Sequence, residues 1–335
     1  MSKTTLDVVG IGNAIVDVLA RCDDPFLASH GILKGGMVLI EEPQAQTIYS
    51  AMGESVAVPG GSAANSIACI ASLGGQGGFV GKVADDPLGQ TFRSAMEDQG
   101  VEFATAPLDN GPGTGRCLIN VTPDAERSMM TFLGAAAHVT LNDIDEDQIK
   151  RAAITFFEGY LFEQPVAREA FVKACAIARN AGRKSALTLS DTSCVDRQHD
   201  VLTGFIPNHV DILLANEAEA STLFQTNDMD AIIEKAKAFC PLTAITRSGK
   251  GSIIIPRDGE PVTVAAIAPT QLVDTTGAGD GYAAGFLYGI ARNFDFERAG
   301  RLGSLAASEV ISHMGPRPET SLEKLAIDAD LLSAN

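Results

Sequence analysis

The sequence predicts an α/β protein: a doubly wound, mainly parallel sheet with a small β-sheet lid. Three observations support this. Short β-branched runs alternate with longer Ala-rich stretches along the chain, the rhythm of βα units whose helices cover both faces of a parallel sheet. The 335 residues are 45% hydrophobic, ample for a sizeable core. Two stretches, 17–42 and 113–133, break the rhythm.

Taken in order, Leu6–Ile11 is an apolar run that reads as the first strand. Ala63–Ser72, behind a Gly pair, reads as a helix, followed by a strand near Gly78–Val83. Leu88–Gln99 is helical and Val101–Ala106 extended. Arg116–Val121 and Arg127–Phe132 alternate across a turn at Pro123-Asp124-Ala125-Glu126, a hairpin signal. Ala153–Phe157 is a strand and Val166–Ala181 a long helix. Ser185–Ser190 and Val210–Leu214 are strands, with a turn and a helix between them. Ala231–Phe239 is helical, Leu242–Thr246 a strand, and Ala278–Ile290 and Phe296–Ile311 the late helices. The chain thus divides into a large unit (1–16, 43–112 and 134–335) and a lid (17–42 and 113–133). A lid matters to any enzyme that keeps water from a reactive phosphate.

Composition excludes several classes. Lys and Arg number 25 against 42 Asp and Glu, a net charge of −17. Nucleic-acid binders carry basic faces, so such a partner is not expected. No run reaches the length of a membrane span, and Asp7 and Asp17 interrupt any leader-like apolar stretch. The six cysteines, at 22, 69, 117, 175, 194 and 240, form no CxxC pair. They read as isolated reduced thiols of a cytoplasmic protein. No HExxH and no GxSxG occurs.

Five segments could carry chemistry. Asp274-Thr275-Thr276-Gly277-Ala278-Gly279-Asp280 is a Gly-rich turn opening a small-residue helix. Such a turn aims free backbone N–H groups and the helix dipole at an anion. Asp280 would repel that anion, and makes sense as a base for a hydroxyl attacking a phosphate. It also suits a plain helix start. Pro59-Gly60-Gly61-Ser62-Ala63-Ala64-Asn65-Ser66 is a helix entry or a hinge, with Asn65 able to meet a ligand hydroxyl. Gly10-Ile11-Gly12-Asn13-Ala14-Ile15-Val16-Asp17 opens like a dinucleotide fingerprint but has Ile15 where the third Gly belongs. Asp17 either binds neighbouring sugar hydroxyls or is an exposed loop carboxylate. Asn216 and Glu219 follow a strand end and share a helix face. They could order water around Mg²⁺, or simply cap the helix. Thr246-Arg247-Ser248-Gly249-Lys250-Gly251-Ser252 is not a Walker A loop, because Gly251 follows Gly249-Lys250 and position 244 is Ala. It reads as strand–turn–strand, touching a nucleotide or serving only as a hairpin.

Together these residues resemble the ribokinase-like (PfkB) family of carbohydrate and nucleoside kinases, over about residues 6 to 320. Asp274–Asp280 resembles its anion-hole signature, Gly60–Asn65 its N-terminal signature and Asn216–Glu219 its NxxE motif. Gly12–Asp17, read as GNxxxD, and Gly61–Ser66, read as GSxxNS, are most similar to the adenosine kinase branch. The chain departs from ribokinase in having Ser62 where Lys is usual, and from its own branch in having Leu161 where an aromatic clamp is expected.

The resemblance implies ATP- and Mg²⁺-dependent phosphoryl transfer to the 5′-hydroxyl of adenosine, in a monomer or homodimer. Asp280 would be the base. Gly277, Ala278 and Gly279 would form the anion hole, and Arg127 would cap the phosphoryl from the lid. Asn13, Asp17, Gly60, Gly61, Ser62 and Asn65 would hold the acceptor, with Ile15, Ile40, Met129 and Leu161 lining the base pocket. Asn216, Thr246, Ser248, Gly249, Gly251, Thr275 and His313 would meet ATP, and Glu219 would hold Mg²⁺ through water. Asp274, Thr276 and Gly315 would offer a site for K⁺. A sugar kinase of the same family, acting on ribose, fructose or ketodeoxygluconate, would share every catalytic residue. So would a kinase for another purine nucleoside.

Overall fold

The computed structural model describes residues 5–124 and 126–333. Met1–Thr4, Ala334 and Asn335 of the expected large unit and Ala125 of the expected turn lie outside them. The first half comprises β1 (Leu6–Ile11), β2 (Ile15–Arg21), α1 (Asp24–Ser29), β3 (Met37–Leu39), α2 (Glu42–Ala51), β4 (Ser55–Gly60), α3 (Ser62–Ser72), β5 (Gly77–Val80), α4 (Pro87–Asp98), β6 (Gly115–Val121), β7 (Arg127–Phe132), α5 (Glu146–Arg151), β8 (Ala152–Glu158), α6 (Gly159–Phe162) and α7 (Pro165–Asn180). The second half comprises β9 (Lys184–Thr188), α8 (Thr192–Arg197), α9 (His199–His209), β10 (Ile212–Asn216), α10 (Glu217–Phe224), α11 (Met229–Phe239), β11 (Leu242–Thr246), β12 (Ser252–Pro256), β13 (Val262–Val264), α12 (Ala278–Ala291), α13 (Phe296–Val310) and α14 (Leu322–Asp328).

Eight strands form one sheet in the order β13-β12-β11-β10-β9-β8-β1-β5. From β5 to β11 every pairing is parallel; β12 and β13 join antiparallel at one edge. Neighbouring residues on a strand point to opposite faces, and here both faces are buried. Val8 and Ile212 belong to one hydrophobic cluster, with Phe286 and Leu302 of α12 and α13. Val9 and Leu213 belong to the other, with Phe171 of α7 and Ile206 of α9. That is why the strands read as unbroken apolar runs.

Five strands form the second sheet, in the order β3-β7-β6-β2-β4. The hairpin β6–β7 is present as expected, with Thr122 N–H donating to the Glu126 carbonyl across its turn at 3.0 Å. Register places Ile15, Asp17 and Leu19 of β2 on one face with Arg127, Met129 and Thr131 of β7. On the opposite face Val16, Val18, Leu118 and Met130 join a cluster with Leu27 of α1 and Ile48 of α2.

Sheet membership differs from the sequence reading at β4, which sits in the range assigned to the large unit. It pairs antiparallel with β2 from Ile15–Gly60 to Ala20–Ser55. The signal was weak because β4 is an edge strand with exposed residues and a proline, Pro59. β2 also enters this sheet at Ile15, two residues ahead of the expected lid. The strand expected at Gly78–Val83 stops at Val80, since Lys82 turns away to pair with Asp143. Val101–Ala106 makes only a bridge, at Glu102 with Gly78. The expected Val210–Leu214 strand starts at Ile212, because Val210 N–H still closes α9 on Ile206. No helix among the described residues is long and apolar enough to cross a membrane.

Candidate active site

Four chain segments meet at the carboxyl ends of β1 and β8: the β1–β2 turn, the β4–α3 junction, the turn 274–280 and the loop 314–317. Arg127 joins them from the second sheet.

Asp280 occupies the first turn of α12, whose N-cap is Gly277. Gly277 has φ +80, and a Cβ there would lie 2.7 Å from the Cα of Pro316, so only glycine fits. The first amides of a helix lack intrahelical acceptors. Here Gly277, Gly279 and Asp280 have none among the described residues, whereas Ala278 N–H donates to the Thr275 carbonyl at 3.2 Å. This revises the expected trio of donors: the amide of Ala278 is already engaged in the turn. A Cβ on Gly279 would meet nothing within 4 Å, so that side of the turn is open.

Two side chains aim the Asp280 carboxylate. Ser62 Oγ donates to Oδ1 at 2.6 Å, and Asn65 Nδ2 donates to Oδ2 at 3.1 Å. Burial raises the Asp280 pKa above its ordinary value, while these hydrogen bonds and the Arg317 charge oppose the rise. Asn65 was expected to hold the acceptor. Its amide is instead held at both ends, since Oδ1 accepts from Arg317 Nε at 3.2 Å. The hydroxyl of Ser62 serves the same carboxylate.

Asp17 is 8% exposed, and its carboxylate makes no hydrogen bond or ion pair with any described residue. Burial lifts its pKa to about 7; Asp280 raises it further, while Arg317 and Arg127 pull it down. Gly60, opposite Ile15 on β4, leaves room for that carboxylate: a Cβ there would sit 2.5 Å from Asp17 Oδ2. A buried carboxylate lacking a partner is costly unless a ligand completes it.

Asn13 is fixed differently from Asp17. Its backbone N–H and Nδ2 both donate to Glu158 Oε1, at 2.8 and 2.7 Å, and Ala63 N–H donates to Oε2 at 2.8 Å. Asn13 Oδ1 is buried without a partner. Burial lifts the Glu158 pKa to about 7, against those three hydrogen bonds.

Arg127 is not a solvated hairpin residue. It pairs with Asp274 Oδ2 at 2.8 Å and donates to Thr276 Oγ1 at 3.2 Å, with its side chain 14% exposed. Asp124, on the same hairpin, pairs instead with Lys34 at 2.7 Å. The Asp274 carboxylate also accepts from Thr276 N–H, Thr276 Oγ1 and Gly315 N–H, at 3.1, 2.8 and 3.0 Å. These residues do not fit the K⁺ site that the resemblance implied: Asp274 already has a cation and a full set of donors, and Gly315 turns its N–H toward it.

Ile15 and Met129 lie partly exposed on the face that carries Asp17 and Arg127. Ile40, 9% exposed, joins the cluster that includes Ala45 and Ile48. Leu161 does not reach the site. It is 0% exposed and packs in the core cluster with Phe157 and Phe171, because the single turn of α6 points it inward. Tyr160 beside it is partly exposed and donates to the Ser190 carbonyl at 3.4 Å.

Farther along the sheet edge, an open cleft of about 680 Å³ is lined by Asn216, Ser221, Thr222, Asn227, Thr246 and Ser248. Ser248 to Lys250 form a 3₁₀ turn between β11 and β12. Gly251 follows, and Gly249 is open on its Cβ side. Asn216 and Glu219 form a capping box: Glu219 N–H donates to Asn216 Oδ1 at 2.8 Å, and Asn216 N–H and Nδ2 donate to the carboxylate at 2.9 and 2.6 Å. Burial lifts the Glu219 pKa to about 7. No three acidic, His or Cys groups among the described residues could hold a metal directly. Thr275 is exposed on the catalytic turn. His313 does not line the cleft. It contacts Glu309 at 3.2 Å; burial lowers its pKa, but Glu309 and the Met314 carbonyl outweigh that and leave it raised.

Sequence reasoning missed Glu158 and Arg317. A Glu ending the apolar run Ala153–Phe157 is a buried charge that could have been flagged. Arg317 had no local pattern, and only tertiary packing shows it.

The pfkB family carbohydrate kinase profile matches residues 38–323. The solved structure of an adenosine kinase from Sinorhizobium meliloti is 46% identical, with TM-score 0.90, covering 97% of this chain and 100% of that one. A probable sugar kinase from Rhizobium etli CFN 42 is 43% identical, with TM-score 0.91, over 98% of this chain and 100% of the other. A 5-dehydro-2-deoxygluconokinase of Geobacillus kaustophilus is 30% identical over 264 residues, 76% of this chain and 78% of the relative.

Proposed function

This chain belongs to the pfkB family of carbohydrate kinases, and on that footing we propose that it transfers the γ-phosphoryl of ATP to the 5′-hydroxyl of adenosine. The observation that supports this most is the pairing of Asp17 with the turn 277–280. One is a buried carboxylate with no partner, apt for two vicinal hydroxyls; the other is a base inside an anion-binding helix start. The partly exposed Ile15 and Met129 beside Asp17 give a base a flat apolar wall. The 46% identical adenosine kinase supports the same acceptor.

In this reading the acceptor's ribose hydroxyls rest on Asp17 and the free Oδ1 of Asn13, which places the 5′-hydroxyl at Asp280. Asp280 takes the hydroxyl proton as the O–P bond forms. Transfer passes through a loose transition state, so aim and charge matter more than base strength. Ser62 and Asn65 supply the aim. The amides of Gly277, Gly279 and Asp280, with the helix dipole, meet the transferring phosphoryl. Arg127 exchanges Asp274 for that phosphoryl, while Thr276 and Gly315 keep holding the vacated carboxylate. ATP lies in the cleft between Asn216 and Ser248, and Mg²⁺ when bound neutralises its phosphates, with Glu219 on a bound water. No step uses K⁺.

A substrate panel with ATP and Mg²⁺ tests the acceptor: adenosine, other purine nucleosides, ribose, fructose and 5-dehydro-2-deoxygluconate. Adenosine is expected to give the highest kcat/KM. The Geobacillus relative favours the second reading, a sugar acid. A higher kcat/KM for any sugar overturns adenosine as the acceptor and leaves the kinase chemistry standing.

A further inference from the structure

The loop after α13 crosses the catalytic turn. Gly315 N–H donates to Asp274 Oδ2 at 3.0 Å, Pro316 packs on Gly277, and Arg317 reaches under the site to Asn65. Arg317 Nη2 lies 3.7 Å from Met96 Sδ of α4, and Nη1 is buried without a partner. A guanidinium only donates. Its Nε therefore holds the oxygen of the Asn65 amide at 3.2 Å and leaves the NH₂ end to face Asp280 at 3.1 Å. With an apolar side chain at 317, Asn65 Oδ1 would lose its donor and the amide would be held at its NH₂ end alone.

We propose that Arg317 is a positioning residue for phosphoryl transfer: it orients Asn65 toward Asp280 and places a positive charge beneath the site. This inference rests on the reading of Asp280 as base. The groups around Asp280 make the charge necessary. Ser62, Asn65 and Cys69 face it from α3, Asp17 from β2, Glu158 from β8 and Tyr160 from α6. Two of these are carboxylates, and Arg127 acts on Asp17 from β7. Arg317 is the cation that lowers the Asp280 pKa against burial. The same burial pulls Arg317 itself down to about 10, still protonated at neutral pH.

The test is the pH dependence of kcat in the full-length Arg317→Met, Arg317→Lys and Asp280→Asn variants, with acceptor and ATP varied separately. Arg317→Met should lower kcat roughly ten- to a hundredfold at pH 7, the scale on which misplacing a reacting group costs rate. Its acid limb should move upward. The sign follows from charge: without the cation Asp280 holds its proton to higher pH, so the basic form is lost first at low pH. The KM for ATP should be little changed. Arg317→Lys should restore the acid limb but only part of kcat, since an ammonium lacks the planar fork that holds Asn65. Wild-type kcat and an unmoved limb in Arg317→Met overturn the proposal. If that variant does not fold, full kcat in Arg317→Lys overturns the orienting role, and reduced kcat with an intact limb supports it. An active Asp280→Asn enzyme would remove the base reading and this inference with it. An inactive Asp280→Asn beside an unaltered Arg317→Met would remove only the inference.

Discussion

The eight-stranded sheet is buried on both faces, whereas the five-stranded sheet has one face under α1 and α2 and the other turned to the catalytic turn. On the first, Glu158 and Asn216 stand at strand ends where helices begin. On the second, Asp17 stands in mid-β2, and Arg127 opens β7 on the same face. The difference teaches a division of labour. In the proposed reading, the helices packed on the large sheet supply fixed parts, the open amides of the turn 277–280 and a base held by Ser62 and Asn65. The small sheet supplies the parts whose partners change, an unpaired carboxylate and an arginine on a temporary anion.

If that division is right, breaking a fixed part should cost most. Asp280→Asn keeps the side chain's size and one acceptor oxygen for Asn65 but removes the base; turnover should fall by roughly two to four decades with acceptor affinity retained. A variant with more than about a tenth of wild-type activity contradicts the assignment. Arg127→Ala should follow, with kcat reduced roughly a hundred- to a thousandfold, the scale for one transition-state donor. Its KM for adenosine should change little, and Arg127→Lys should recover only part. A wild-type kcat would mean that Arg127 merely latches the lid to Asp274.

Asp17→Ala should act on binding: KM for adenosine rises by an amount worth about 1.5–3 kcal/mol, the value of hydrogen bonds to a charged group. A raised KM for ATP with adenosine unaffected would place Asp17 at the wrong end of the cleft. The last test changes no rate constant. Asp17 ordinarily titrates near 3.8 and in the folded chain near 7, so the folded form holds a proton that the unfolded chain has released. Stability from this group is full below the lower value and is lost as pH rises through the upper one. Urea unfolding of Asp17→Asn, permanently neutral, should lack that share of the decline, and the variant should gain on the wild type between those pH values. Parallel stability curves would show that Asp17 is not buried as described.

The parallel strands were legible because burial on both faces leaves a continuous apolar signature, and the α12 turn because only glycine suits its backbone. Asp280, Asp17 and Asn216 stood out as polar residues beside such runs. Edge strand β4 was not legible, since exposed residues and Pro59 leave no alternation to read. Leu161 was misplaced for the same kind of reason: an apolar residue next to a strand end suits a pocket wall or a core equally.

Local pattern thus settles most of the buried strands and the long helices, and where the glycine-rich turn at 274–280 opens, because those depend on neighbours within a few residues. Which groups share a hydrogen bond does not. Asn65 lies between Asp280 and Arg317, partners 215 and 252 residues away. Arg127 finds Asp274 across 147 positions, 274 less 127. Such pairings follow from how the two sheets and the loop after α13 pack together, and no spacing in the chain encodes them locally.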